Sequence, residues 1–290
     1  MLEIAGDEAN LKMVNDYSLL AQILSGLETS ILNEIEGLNN GFKFQMSEAG
    51  FSSHIAPDES LLFGAVGAYD WSGGVILQPP GLENVSFLQG ESSKQRFSYL
   101  GYSVLSVKVK SEVLYISGAP RYNLTGGVFV FEAVNHKQSQ LLQGKQFGSY
   151  FGSVLCAVDI DKNGETDYLL IGAPFHHQRG EEGKVFIYKL KGEEAFQEED
   201  FEWRGLEKYV FARFGSAIAS VGDLDGNGFT DIAIGAPLED DGAGSIYIYN
   251  GIKGRLQLQH SQVVIWKCHL FCMFACVNFD TLIGCFVISK

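Results

Sequence analysis

A short apolar strand ending in Gly-Ala returns four times within this 290-residue chain, and that repetition limits its possible folds more than any other feature. The copies are Phe63-Gly64-Ala65-Val66-Gly67-Ala68, Leu114-Tyr115-Ile116-Ser117-Gly118-Ala119-Pro120, Leu169-Leu170-Ile171-Gly172-Ala173-Pro174 and Ile232-Ala233-Ile234-Gly235-Ala236-Pro237. Counted from Gly67, they lie 51, 54 and 63 residues apart. A loop and a second β-rich run follow each: Val75–Leu77, Val128–Phe131, Val185–Tyr188 and Ile246–Tyr249. Three are preceded by a strand opened by Leu100-Gly101, Phe151-Gly152 or Phe214-Gly215. Proline after Gly-Ala stops the strand, because it donates no ladder hydrogen bond. Helical repeats lack such strands, and a parallel β-helix has a much shorter period. The expectation is therefore an all-β fold, about four blades of a β-propeller.

Two units carry a charged nonapeptide between the aromatic-Gly step and the Gly-Ala strand. They are Asp159-Ile160-Asp161-Lys162-Asn163-Gly164-Glu165-Thr166-Asp167 and, 64 residues on, Asp223-Leu224-Asp225-Gly226-Asn227-Gly228-Phe229-Thr230-Asp231. If the chain curls, the side-chain oxygens at the first, third, fifth and ninth positions converge. Calcium takes about six to eight hard oxygen ligands. The candidate ligands are Asp159, Asp161, Asn163, the Glu165 carbonyl and Asp167, then Asp223, Asp225, Asn227, the Phe229 carbonyl and Asp231. A helix–loop–helix calcium site closes with a glutamate at about its twelfth position. Here that position is Leu170 or Ile234, inside a strand. Asp/Asn/Gly runs also form plain hairpin turns; two copies in one repeat register favour the cation. In the Gly101 unit, Val107–Glu112 occupies the equivalent place and cannot form this cage, and the Gly67 unit also lacks it.

The rest of the composition narrows the function. Acidic residues outnumber basic ones 35 to 21, for a net charge of −14, which argues against nucleic acid or an anionic membrane as partner. Of five cysteines, Cys156 stands alone and the others fall between 268 and 285, so the first 267 residues allow no internal disulfide. Residues 1–7 lack the basic start and apolar run of a secretory signal. Asn84-Val85-Ser86 and Asn123-Leu124-Thr125 fit the glycosylation acceptor. His176-His177 and Glu239-Asp240-Asp241 both read as surface loop. With no His-Glu-x-x-His, Gly-x-Ser-x-Gly or phosphate-cradling loop, the chain does not read as an enzyme.

The two ends differ from the middle. Leu19, Leu20, Ile23, Leu24, Leu27, Ile31, Leu32 and Ile35 form one face of a helix, with Asn15 or Asp16 to cap it and Gly37 past its end. Leu11–Val14 before it reads as a short strand. After Gly254 comes Val263-Val264-Ile265-Trp266-Lys267-Cys268 and a Cys-rich apolar tail, broken by Lys267, His269 and Asp280. That run is too short to span a bilayer.

Together, the Phe-Gly step, the Asp-x-Asp-x-Asn-Gly-x-x-Asp loop and the Gly-Ala-Pro strand resemble the FG-GAP repeats of integrin α subunits, from about Asn10 to Gly254. The resemblance includes Tyr69–Gly74, Tyr99–Tyr102, Gly118–Tyr122 and Gly148–Gly152. It implies a seven-bladed propeller that pairs with an integrin β subunit, calcium under the later blades, and an extracellular place on a cell-surface receptor. Ile35-Glu36-Gly37 matches the exit of the inserted ligand-binding (I) domain found in some of these subunits. On that resemblance residues 1–37 are the last strand and helix of an α/β I domain, and 38–254 are blades three to six. Residues 255–290 are then an atypical tail from a truncated or read-through transcript. Glu36 becomes an internal ligand for the β subunit's metal site. Extracellular or cell-surface protein ligands would bind through the I domain, whose Asp-x-Ser-x-Ser motif this sequence lacks. Gly180–Gly183 and Ser72–Gly74 lean towards an α-E-like subgroup, with the collagen-binding subunits next. The alternative is an FG-GAP module of a secreted enzyme such as a phospholipase; residues 10–37 have no reason to precede one.

Overall fold

The computed structural model describes residues 47–80, 85–110, 112–191 and 195–265. The expected helix with Glu36, the Asn84 acceptor and the tail beyond 265 lie outside the described residues.

Four antiparallel sheets follow one another, each with four strands in plain chain order. The first holds β1 (Ala49–Ile55), β2 (Leu61–Ala65), β3 (Val75–Gln78) and β4 (Ser86–Leu88); the second holds β5 (Ser103–Val109), β6 (Glu112–Ala119), β7 (Gly127–Glu132) and β8 (Gln138–Gln143). The third is β9 (Val154–Val158), β10 (Tyr168–Ala173), β11 (Lys184–Lys191) and β12 (Ala195–Trp203). The fourth joins β13 (Ala217–Gly222), β14 (Asp231–Ala236) and β15 (Ser245–Tyr249) to β18 (Gln262–Ile265), with a small hairpin of β16 (Gly251–Ile252) and β17 (Arg255–Leu256) between. Strands β1, β5, β9 and β13 neighbour one another, so each sheet is a blade with its first strand innermost.

Alternation along each strand builds the core between blades. In β10, Leu169 and Ile171 pack with the second blade's Leu105, Val107, Val128 and Val130, while Tyr168 and Leu170 pack with the fourth blade's Ile232, Ile234, Tyr247 and Tyr249. Every residue of β10 and β14 is buried. A strand covered on both faces is a near-continuous apolar run, interrupted in β14 by Asp231 at its start, which is why these segments read so clearly in the sequence. Phe151 and Phe214, from the aromatic-Gly steps, insert between adjacent blades against Phe186 and Tyr247 at 5.2 and 5.1 Å.

The glycines of the two motifs meet at these junctions. A β-carbon on Gly118 would stand 1.8 Å from the Gly152 carbonyl oxygen of the next blade; on Gly172 it would stand 2.5 Å from that of Gly215. At the first junction the residue so placed is Gly64, at 1.9 Å from the Gly101 oxygen. The first Gly-Ala is therefore Gly64-Ala65 at the end of β2, not Gly67-Ala68, which opens the following turn. Parallel bridges Gly73–Leu100, Gly126–Phe151 and Gly183–Phe214 complete the seams.

The sequence reading ended the blades at 254, whereas the fourth blade takes its outer strand from beyond it. In β18, Val263 and Val264 pair with Tyr247 and Ile246. The intervening segment carries the β16–β17 hairpin, and this longer excursion hid the strand from a repeat-length argument. Gly118→Ala is expected to cost about 1–3 kcal/mol, since overpacking here pushes two backbones apart. Gly254→Ala, with open space around it, should cost only backbone strain of about 1–2 kcal/mol. Denaturant melts of the two variants check the ordering.

Candidate metal centres

Each acidic nonapeptide links the first strand of a blade to its second: Asp159–Asp167 joins β9 to β10, and Asp223–Asp231 joins β13 to β14. Antiparallel order puts both loops at one end of the blades and the aromatic-Gly turns at the other. Oxygens of Asp159, Asp161 and Asp167 lie within 4.8 Å of one another, and so do those of Asp223, Asp225 and Asp231.

Backbone N–H groups hold these carboxylates in nearly the same way in both loops. In the first, Asp159 accepts from Asn163 N–H at 3.1 Å and Gly164 N–H at 2.6 Å; in the second, Asp223 accepts from Asn227 N–H at 3.0 Å and Gly228 N–H at 2.8 Å. The Asn163 and Asn227 side-chain oxygens accept from Glu165 N–H at 2.7 Å and Phe229 N–H at 2.8 Å. Asp167 Oδ2 and Asp231 Oδ2 accept from Ile160 N–H and Leu224 N–H, each at 2.8 Å. Gly164 and Gly228 have φ of 88° and 92°, with nothing within 4 Å of an added β-carbon, so the turn rather than crowding requires glycine.

Burial raises the proton affinity of the Asp167 and Asp231 carboxyls; the carboxylates of Asp161 and Asp159 add to it at Asp167, and that of Asp225 at Asp231. Asp223 goes the other way: burial opposes ionisation, but the Gly228 N–H and the Lys162 ammonium outweigh it. A carboxyl whose folded pKa lies above its unfolded one lends stability while protonated, and loses it as pH rises through the folded value. A cation between three carboxylates removes that penalty at neutral pH. The donors are all oxygen, which suits a hard divalent ion rather than a thiophilic one.

The sequence reading missed Asn250 and Gly251, which follow β15. The Asn250 amide donates to Asp225 Oδ2, Asn227 Nδ2 donates to the Gly251 carbonyl at 2.8 Å, and Gly251 N–H donates to Asp231 Oδ1 at 2.9 Å. An Asn-Gly pair at a strand end looks like any turn, so sequence alone did not single it out.

Other flagged residues divide. Glu239, read as solvated loop, is fully buried and accepts from Tyr247 Oη–H at 2.6 Å, whereas Asp241 is exposed. A tight turn with left-handed Asp240 and Asp241 folds Glu239 back against the blade. His177 is exposed, but His176 is half-buried beside Phe186, and burial takes its pKa down to about 4. Asn123 is exposed on the turn between β6 and β7.

The FG-GAP repeat family model matches residues 151–188 and 214–249, the third and fourth blades with their acidic loops. The chain is similar to integrin alpha-E of Mus musculus, 40% identical over 276 residues covering 90% of this chain and 24% of that protein. Integrin alpha-E of Homo sapiens is 41% identical over 88% of this chain and 23% of its own length. Integrin alpha-11 of Homo sapiens is 41% identical over 86% and 22%. The chain thus spans about a quarter of these relatives, and identity does not separate the two subgroups. These relatives lend the enzyme-module alternative no support.

Calcium at a hundredfold excess over Kd should stabilise the fold by about 2.7 kcal/mol per site relative to chelator, read as a higher melting temperature. Asp231→Asn should abolish the fourth-blade share of that gain, while Asp240→Asn leaves it unchanged. Thermal melts with and without calcium test this.

Proposed function

Because the chain belongs to the integrin α-subunit family, we propose that it serves as part of the propeller head of a cell-surface adhesion receptor, a non-catalytic scaffold stiffened by calcium and paired with a β subunit. The observation that carries this reading is the recurrence of one carboxylate cage, in the same blade register, within two FG-GAP matches. Calcium is the natural occupant, because flexible loops offering carboxylate, amide and main-chain oxygens suit its large, adaptable shell. The ion would be structural: a loop that joins two buried strands gains rigidity by cross-linking its own carboxylates.

The opposite end of the blades supports a protein partner. Tyr69, Trp71, Phe97, Phe147 and Phe211 are all exposed on turns there, with Trp71 stacked on Phe97 at 6.1 Å. Exposed aromatic residues gathered on one end mark an interface more than a solvated surface. The assigned partner is the integrin β subunit. Blades three to six, the I-domain exit at residues 1–37 and the internal-ligand role of Glu36 belong to the same reading, as does a glycan at Asn84 or Asn123. The place of action is the extracellular side of a membrane. Among the described residues no helix is long and apolar enough to cross one.

In a full-length receptor carrying this segment, Trp71→Asp with Phe147→Asp should cut co-capture of the β subunit at least about tenfold, the effect of losing about 1.4 kcal/mol of binding. Val134→Asp, at the calcium-loop end and 88% exposed, should not. Equal capture of all three receptors would overturn the assignment of the interface.

A further inference from the structure

The two acidic loops are not independent in the structure. Thr230 N–H, in the second loop, donates to the Ile160 carbonyl at 2.9 Å, and Ile160 N–H donates to Asp167 Oδ2. One residue therefore bonds a ligand of the first loop on one side and the neighbour of Asp231 on the other. The equivalent bond of the first loop, Thr166 N–H to the Lys108 carbonyl, runs to a blade whose hairpin has no such acidic cluster.

Lys162 adds a charge to this link. It sits at the fourth position of the first loop with φ of 60°, where the second loop has Gly226 with φ of 76°. The left-handed region is strained for a side chain and free for glycine, so lysine is the costly choice. Its Nζ lies 3.6 Å from Asp223 Oδ2, the first carboxylate of the second loop, whose side chain is only 18% exposed.

We propose that the two loops form a coupled pair in which Lys162 sets their order of filling. This rests on the reading that both loops bind calcium. The ammonium partly neutralises Asp223, and a divalent cation entering the second loop must displace it or sit beside it. Calcium therefore fills Asp159–Asp167 at a lower concentration than Asp223–Asp231. Lys162 does not ligate; it lowers the affinity of the neighbouring site and keeps the fourth blade's loop responsive to calcium where the third's is saturated.

Calcium titration by calorimetry at low ionic strength tests this on the full chain. With Asp161→Asn disabling the first loop, adding Lys162→Gly is expected to tighten the remaining constant about two- to fivefold, the scale of one exposed ion pair. Lys162→Arg should keep the weaker constant, and about 1 M salt should erase the difference by screening. Glycine suits the left-handed backbone, so an undiminished melting temperature separates the charge effect from misfolding. Equal constants with lysine and glycine would overturn the coupling while leaving the calcium reading intact. Absence of any calcium heat from the unsubstituted chain would overturn both.

Discussion

The architecture depends on one close approach, repeated at each blade junction. The glycine ending a second strand meets the carbonyl of the glycine that opens the next blade, with no room for a β-carbon between them. Gly118 against Gly152 and Gly172 against Gly215 set how near the inner ends of adjacent blades can come. The aromatic side chain before each opening glycine, Phe151 or Phe214, then fills the wedge left further out. Ser103 Oγ donates to the Gly152 carbonyl at 2.8 Å, so the oxygen that would clash with a side chain is hydrogen-bonded instead. The motif is thus a single joint whose two halves lie on different blades. It recurs because every junction requires it.

A joint of this kind fixes the sheets but leaves their ends free to differ. At one end, two of the strand-to-strand turns each concentrate three carboxylates within a few ångströms. Such a cluster is costly unless N–H groups or a cation answer it. The N–H groups of Asn163, Gly164, Ile160 and their fourth-blade counterparts answer part of the charge. Burial, with the neighbouring carboxylates adding to it, still raises Asp167 and Asp231 above their ordinary value. At the other end the turns carry exposed aromatic residues among ion pairs such as Arg96–Asp70 and Arg213–Glu181. The same blades therefore present one end with two carboxylate clusters and another with exposed aromatic side chains.

How much was legible in the sequence follows from burial. Strands β10 and β14 are covered on both faces, so Tyr168–Ala173 and Asp231–Ala236 could hardly be other than near-continuous apolar runs. The loops were legible because metal-type donors must recur at fixed offsets. The outer strands were not. Gln138–Gln143 and Ala195–Trp203 are rich in Gln, Glu and Asp, as suits a blade's solvated rim, and their pairing is fixed by neighbours rather than by pattern. The first Gly-Ala was misplaced by one turn because Gly64-Ala65 and Gly67-Ala68 are identical as dipeptides. Only the contact with Gly101 distinguishes them.

Glu239 shows the same limit from the opposite direction. In Glu239-Asp240-Asp241 three acidic residues in succession suggest water, yet the first is wholly enclosed. Tyr247 Oη donates to its Oε2 at 2.6 Å and accepts from Leu206 N–H at 3.0 Å, which ties the linker between the third and fourth blades to β15. Burial pushes the Glu239 carboxyl above its usual range, although Tyr247 and Lys208 act against that shift. Placing a carboxylate in a core is unfavourable unless its oxygens are used; at Glu239, Oε1 has no hydrogen-bond partner among the described residues, while Oε2 is used. Here it orders a linker that has no ladder bonds of its own at Leu206. The charge pattern of a segment therefore does not decide its exposure: the left-handed turn at Asp240 and Asp241 does, by sending one carboxylate inward and leaving the side chain of Asp241 in solvent.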